Sequence, residues 1–236
     1  MSSFQSRTQL LLGTDVTDRI ARARVIVFGV GGVGSWCVEG LVRSGVRHIT
    51  IVDHDRVCPS NVNRQLMATA KTIGRVKVEA MKEHLLDISP DAEIDARHEA
   101  FNAGTAASFD IGSYDYVIDA IDSLQDKMLL IHTACDARVR LYSSMGAARK
   151  LDPTRIRVAE FWKVTGCPLA RALRQGFKRS GRLPSRKFKC VYSDELLDNA
   201  GTSDEPRANG SLAHITAVFG FTLAGLVIED IVKRTD

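Results

Sequence analysis

The sequence predicts an α/β fold, a doubly wound and mainly parallel sheet with helices on both faces, plus a small antiparallel extension and a basic insertion. Three observations predict it. Short β-branched runs alternate with segments of helical spacing up to about residue 150. One of those runs, Tyr116–Ala120 (YVIDA), is essentially apolar, the type a parallel sheet buries on both faces. A glycine cluster, Gly29-Val30-Gly31-Gly32-Val33-Gly34, separates the first run from the first strongly patterned helix.

Each element follows from its own pattern. Arg24–Phe28 (RVIVF) is a strand ending at those glycines. Ser35–Ser44 carries Trp36, Val38, Leu41 and Val42 at helical spacing and stops at Gly45. His48–Val52 is a second strand ending at Asp53, which completes a βαβ unit of the Rossmann-like kind. Asp53–Thr72 is polar and irregular. Val76–Ile88 is helical, with Val78, Met81, Leu85 and Ile88 in phase and Pro90 as punctuation. Ile94–Ala100 alternates as a strand, Leu124–Val139 reads as a helix and Leu141–Ser144 as a strand. Beyond these, Ile156–Phe161 is expected to be an antiparallel strand with Phe188–Tyr192 pairing back. Leu197–Ser211, with Gly201, Pro206 and Gly210, reads as loop, and Leu212–Val232 as a long apolar helix.

Composition narrows the classes. The chain of 236 residues is 44% hydrophobic and 25% charged, as an ordinary globular protein is. No apolar run approaches the roughly 18 residues that span a bilayer, so no membrane partner is expected. Met1–Leu12 lacks the pattern of a secretory signal. Five cysteines (Cys37, Cys58, Cys135, Cys167 and Cys190) are scattered without a C-x-x-C pair, which argues against disulfides and zinc and suggests a cytoplasmic setting. Charge is uneven. Between Trp162 and Lys189 stand nine cations and no acid: Lys163, Arg171, Arg174, Lys178, Arg179, Arg182, Arg186, Lys187 and Lys189. The remainder is net acidic, since the whole chain is only +4. Such a segment suits a polyanion, and a phosphodiester backbone best. With Gly166, Gly176 and Gly181 among them, these residues are expected to bury little apolar surface and to form an insertion before the last helix.

The chemistry gathers at strand ends. Glycines let a phosphate approach the amides that open a helix, where the dipole favours negative charge. Asp53 stands where an acid accepts from a ribose hydroxyl. These features alone do not separate a dinucleotide from ATP, so an NAD-linked oxidoreductase stays open at that point. Arg64 and Lys77 favour ATP, because a triphosphate needs compensating cations, and Asn61 and Gln65 can add neutral donors. Asp122, after the strand at Tyr116, is a carboxylate suited to Mg²⁺, with Asp119 the structural alternative. His54, His98 and His214 are isolated and read as structural.

Taken together, Gly29-x-Gly31-Gly32-x-Gly34, Asp53-x-Asp55, Asn61-x-Asn63-Arg64-Gln65, Gly74-x-x-Lys77 and Asp119-x-x-Asp122 resemble the ATP-dependent adenylating enzymes related to ubiquitin activation and to sulfur-carrier activation. The resemblance implies that Asp53 holds the ATP ribose, Arg64 and Lys77 contact phosphates, and Asp122 coordinates Mg²⁺. It also implies a homodimer in which an arginine from the partner's N-terminal segment completes the site, here Arg7. Ser6-Arg7-Thr8…Leu12-Gly13, Cys167-Pro168-Leu169-Ala170, Lys189-Cys190-Val191-Tyr192-Ser193-Asp194-Glu195 and Gly210-Ser211-Leu212 are similar to the tRNA threonylcarbamoyladenosine dehydratase branch. That branch implies ATP-dependent cyclisation of a threonylcarbamoyl group on tRNA. Adenylation of a ubiquitin-like sulfur carrier is the alternative, and a sulfur-transfer protein a further possible partner. The expected plan is one adenylating domain over 1–236. Its nucleotide-binding half is 1–150 and its substrate and dimer half 151–236, with the basic insertion at 162–189. Some relatives carry a cysteine just before the last helix; Thr202–Leu212 has none. Cys190 reads as a buried strand thiol, and Cys167, in a glycine-bearing loop, as an exposed one.

Overall fold

The computed structural model describes residues 4–202 and 209–234. Two short helices, α1 (Ser6–Leu12) and α2 (Thr14–Arg22), precede the sheet. Then come β1 (Arg24–Phe28), α3 (Gly34–Arg43), β2 (His48–Val52), α4 (Lys77–Ile88), β3 (Glu93–Arg97), β4 (Tyr116–Asp119), α5 (Leu124–Asp136) and β5 (Arg140–Ser144). The chain ends with β6 (Ile156–Glu160), α6 (Pro168–Ser180), β7 (Lys189–Ser193) and α7 (Ala213–Lys233). The seven strands lie in the order β3-β2-β1-β4-β5-β7-β6. Every pairing is parallel except β6 with β7. The doubly wound sheet and its antiparallel extension are therefore as the sequence predicts. Strand order reverses between β1 and β4, which opens a crevice at their carboxyl ends.

Burial explains the strands. In β1 all but Arg24 are buried, and β4 is buried throughout, so neither has a solvent face. One core layer joins α3, α4 and α7 to the sheet; the other lies under α5 and α6 around Phe28, Phe109, Phe161 and Phe177. Helix α7 crosses the start of α3 closely. A Cβ on Gly220 would lie 2.5 Å from the Val33 carbonyl oxygen and 2.7 Å from the Cys37 nitrogen, so only glycine permits this crossing. Burying Phe219 beside it stabilises the fold by about 1.5–3 kcal/mol.

Several expectations need correction. The strand read to Ala100 ends at Arg97, because the chain turns there and His98 bonds the His54 carbonyl. The helix read to Val139 ends at Asp136, where Arg138 takes a positive φ of 59° and the Val139 N–H returns to the Ala134 carbonyl. The basic stretch does bury apolar surface. Helix α6 puts Ala170, Leu173 and Phe177 into the core and lays Gly176 against Met128. It bridges β6 and β7 and is part of the domain's framework. Arg171, Lys178 and Arg179 are exposed away from that face, so a count of cations hid an amphipathic period. Helix α7, at 21 residues, is long and apolar enough to cross a bilayer, contrary to the expectation from the sequence. Half of its most apolar window is buried within the protein against α3 and the sheet. Of the loop read over 197–211, residues 203–208, Pro206 among them, lie outside the described residues.

Candidate functional site

A cavity of about 650 Å³ opens at the carboxyl ends of β1, β4 and β5. Gly29, Gly31, Gly32, Asp53, Asp55, Asn61, Arg64, Gln65, Lys77 and Asp122 all line it. Residues separated by nearly a hundred positions thus share one wall, as the motif order implied.

The glycines divide the work. Gly29 has φ 86°, and a Cβ there would stand 2.7 Å from the Ala120 carbonyl oxygen. A Cβ on Gly34 would fall 1.7 Å from the Gly29 oxygen. Gly34 does not line the cavity; it closes the turn. Gly32 faces Thr216, whereas the nearest atom to a Cβ on Gly31 is Gln65 Nε2 at 3.8 Å. Gly31 is therefore the open face of the loop.

Asp53 is buried and shapes the same turn. Its Oδ2 accepts from the Val30 N–H at 2.7 Å and its Oδ1 from the Asp55 N–H at 2.9 Å. Lys77, at the first position of α4 and only 5% exposed, donates from Nζ to Asp55 Oδ2 at 2.7 Å. Burial raises the Asp55 pKa, but the Lys77 hydrogen bond and charge, aided by His54 and His98, carry it below the ordinary value. Arg64 Nη1 donates to the Ser60 carbonyl at 2.8 Å and to Asn63 Oδ1 at 3.0 Å. Asn63 does not line the cavity; its Nδ2 ties the loop to the Ser211 carbonyl at 2.9 Å. Asn61 Oδ1 accepts from the Cys58 N–H at 3.0 Å. Gln65 is 6% exposed, and its Oε1 has no hydrogen-bond partner among the described residues. A buried polar atom left unpaired at a cavity wall marks a place for a ligand.

The two acids after β4 separate cleanly. Asp119 is buried and committed to Lys127, Ser143 and the Ile121 N–H. Asp122 is exposed on the cavity wall, so its carboxylate, with those of Glu99 and Asp126 in the same lining, is open to a cation, whereas Asp119 is not. The donor set fits Mg²⁺, a hard ion that takes one or two carboxylates plus phosphate oxygens. Asp53, His54 and Asp55 also bring ligand atoms within 4.8 Å of one another, but Asp53 and Asp55 already hold backbone amides and Lys77.

The other expected residues lie apart. Arg7 is exposed on α1 and outside its own chain's cavity. Arg171, Lys178, Arg179 and Lys187 are exposed on α6 and the segment after it, and Lys189 is exposed at the start of β7. Arg174 instead turns inward, donating to the Phe161 and Val164 carbonyls and lying over the Phe161 ring. Arg182 pairs with Asp136 at 2.6 Å, and Arg186 donates to the Arg138 carbonyl at 2.7 Å. Cys167, expected to be exposed, is buried beneath the start of α6. Cys190 is fully buried as expected, and burial pushes its thiol pKa well up, which keeps it a poor nucleophile. Lys127, Thr216 and the segment Ser144–Ala148 carried no recognised functional signal, though all but Lys127 line the cavity, as does Ser211 of the Gly210-Ser211-Leu212 motif. A lysine eight residues after Asp119 looks like any surface lysine until the helix turns it inward.

The ThiF family profile matches residues 5–235. The tRNA threonylcarbamoyladenosine dehydratase of Bacillus subtilis is 35% identical, covering 97% of this chain and 94% of that protein. The Escherichia coli protein of the same name is 32% identical over 96% and 92%. Its crystal structure in complex with ATP superimposes with a TM-score of 0.86, covering 98% of this chain and 96% of that one. An adenylyltransferase and sulfurtransferase of Culex quinquefasciatus is 34% identical but covers 52% of this chain. The chain belongs to the ThiF family, and within it to the tRNA threonylcarbamoyladenosine dehydratases.

Proposed function

We propose that this chain catalyses the ATP-dependent dehydration of N6-threonylcarbamoyladenosine in tRNA to its cyclic form. The substrate carboxylate attacks the α-phosphorus of ATP and pyrophosphate leaves. The carbamoyl group then attacks the acyl carbon, and AMP departs with one former carboxylate oxygen while a proton is lost. Ring closure within one molecule needs no external nucleophile, because effective molarity is high. Cys167 and Cys190 are buried and the exposed Cys58 does not line the cavity, which agrees with a reaction that uses no thiol.

The observation that carries this reading is the convergence of Arg64 and Lys77 on the cavity wall that holds Gly31 and Asp122. Lys77 and Arg64 compensate phosphate charge, Asp53 accepts from the ribose, and Asn61 and Gln65 supply neutral hydrogen bonds. Gly31 gives the phosphates access to helix α3's amides. Mg²⁺ held by Asp122 adds charge compensation for phosphoryl oxygens when bound. In this reading the enzyme is a cytoplasmic homodimer. The exposed Leu10 and Leu11 (80% and 81%) make α1 a face for the partner to cover, which carries Arg7 toward the partner's site. Residues 1–150 then bind nucleotide and lend α1 to the dimer, and 151–236 serve RNA and further dimer contacts. The outward cations of α6 dock the phosphodiester backbone.

The test is incubation with ATP, Mg²⁺ and threonylcarbamoyl-modified tRNA, followed by mass analysis of the released nucleosides. Loss of one water from the modified adenosine, with release of AMP and pyrophosphate, is expected. Pyrophosphate exchange driven by a ubiquitin-like carrier and not by the tRNA overturns this in favour of carrier adenylation, with a sulfur-transfer protein as the next partner.

A further inference from the structure

What holds the Asp122 turn lies beneath it in the core. Asp119 and Lys127 are both fully buried, and Lys127 does not line the cavity. Lys127 Nζ lies 2.8 Å from Asp119 Oδ2 and donates to the Ile121 carbonyl at 2.8 Å. Asp119 Oδ1 accepts from the Ile121 N–H at 3.1 Å, and Ser143 Oγ donates to Asp119 Oδ2 at 2.6 Å. Both peptide groups flanking the Ile121 α-carbon are thus gripped by one ion pair, and the second of them leads directly into Asp122. On its other side the turn abuts the glycine loop, at the Ala120 carbonyl beside Gly29. A buried ion pair adds little net stability, because desolvation offsets most of the attraction, but it restricts geometry strongly.

We infer that Lys127 is a positioning residue, which fixes Asp122 against the phosphate wall by clamping the Ile121 carbonyl and never touches the nucleotide. This rests on the reading of Asp122 as the Mg²⁺ ligand. Side chains held in place beforehand lose no freedom when the ligand arrives, so a loosened turn weakens the metal's contribution selectively.

The test is calorimetric titration of the full chain with ATP, once in EDTA and once in Mg²⁺. The ratio of the two affinities is the Mg²⁺ increment. The Asp119→Asn/Lys127→Met double variant removes both buried charges together and keeps a hydrogen-bonding side chain at 119. It is expected to melt cooperatively and to bind ATP in EDTA as the wild type does, with the Mg²⁺ increment cut about tenfold or more. Ser143→Ala, which loses one hydroxyl and leaves the pair in place, is the second variant. Its expected loss of increment is about threefold. Purely structural damage lowers both affinities together and overturns the inference. So does a wild-type increment in the double variant or, should that variant not fold, in Ser143→Ala. Asp122→Asn is titrated in parallel and is expected to lose the increment. Loss in the double variant with a full increment in Asp122→Asn overturns the placing of Mg²⁺ and the clamp with it. Loss in Asp122→Asn without loss in the double variant overturns the clamp alone.

Discussion

Lys77 Nζ sits 2.7 Å from Asp55 Oδ2, and the Lys77 N–H also bonds the Asp55 carbonyl at 3.0 Å. The cation is thus delivered to the cavity wall by two bonds from one residue, at the point where α4 begins. Lys77→Met is expected to lower kcat/KM for ATP by about 10²–10³-fold with a small change in Tm. Asp55→Asn is expected to keep the fold and lose about tenfold, since the ammonium group stays but is less well aimed. Steady-state kinetics with thermal melts checks both.

Gly31 and Gly34 should part company under the same substitution. A Cβ on Gly31 meets nothing closer than 3.8 Å, so Gly31→Ala should fold normally and lose ATP affinity about tenfold or more, as its methyl occupies the phosphate approach. Gly34→Ala places a methyl on the Gly29 carbonyl and should destabilise by about 3 kcal/mol or more, or abolish folding. Melting and ATP titration of the two proteins decide it.

A shared site should show complementation. Arg7→Ala and Lys77→Met homodimers are each expected to be nearly inactive. Mixing them through reversible dissociation should recover about a quarter of wild-type turnover, because half the dimers are hybrids and each hybrid has one intact site. No recovery in demonstrably mixed dimers removes the role of Arg7 across the interface.

The outward and inward cations of the basic segment should differ in salt response. Replacing Arg171, Lys178 and Arg179 together by Ala should weaken tRNA binding and reduce the slope of log K against log[salt] by about 2–3. Arg174→Ala should leave that slope unchanged and lower Tm, because its guanidinium caps the Phe161 and Val164 carbonyls. Filter binding across a salt series tests the contrast.

Acid stability should report Glu39, which is buried between Arg43 at 2.5 Å and His84 at 2.9 Å. Burial raises its pKa, but the two hydrogen bonds and their charges outweigh burial and hold it below the ordinary 4.5. A carboxylate with a lowered folded pKa adds stability above its unfolded pKa, and that stability disappears as pH falls through the folded value. Wild type should therefore melt above Glu39→Gln near neutral pH. The gap should close as pH drops below about 4.5. A gap of constant size down to about pH 2 contradicts the assignment.

The sequence by itself determined the elements that depend on near neighbours. The β1–glycine turn–α3–β2 unit, the apolar β4 and the order of the ATP motifs were all legible, since period, branching and glycine act over a few residues. Which glycine faces ligand and which closes the turn, however, depends on atoms brought in from Ala120, Gln65 and Thr216. The sequence already favoured Asp122 over Asp119 for a cation; what Asp119 does instead depends on Lys127 and Ser143 arriving from α5 and β5. The same holds for Arg174, whose inward turn depends on the Phe161 and Val164 carbonyls, and for Cys167, buried under α6. Burial and charge pairing are relations between distant parts of the chain, and local pattern carries no record of which parts will meet. Only packing, by expelling water from one face of each element, decided which polar groups turned inward to one another and which stayed free for a ligand.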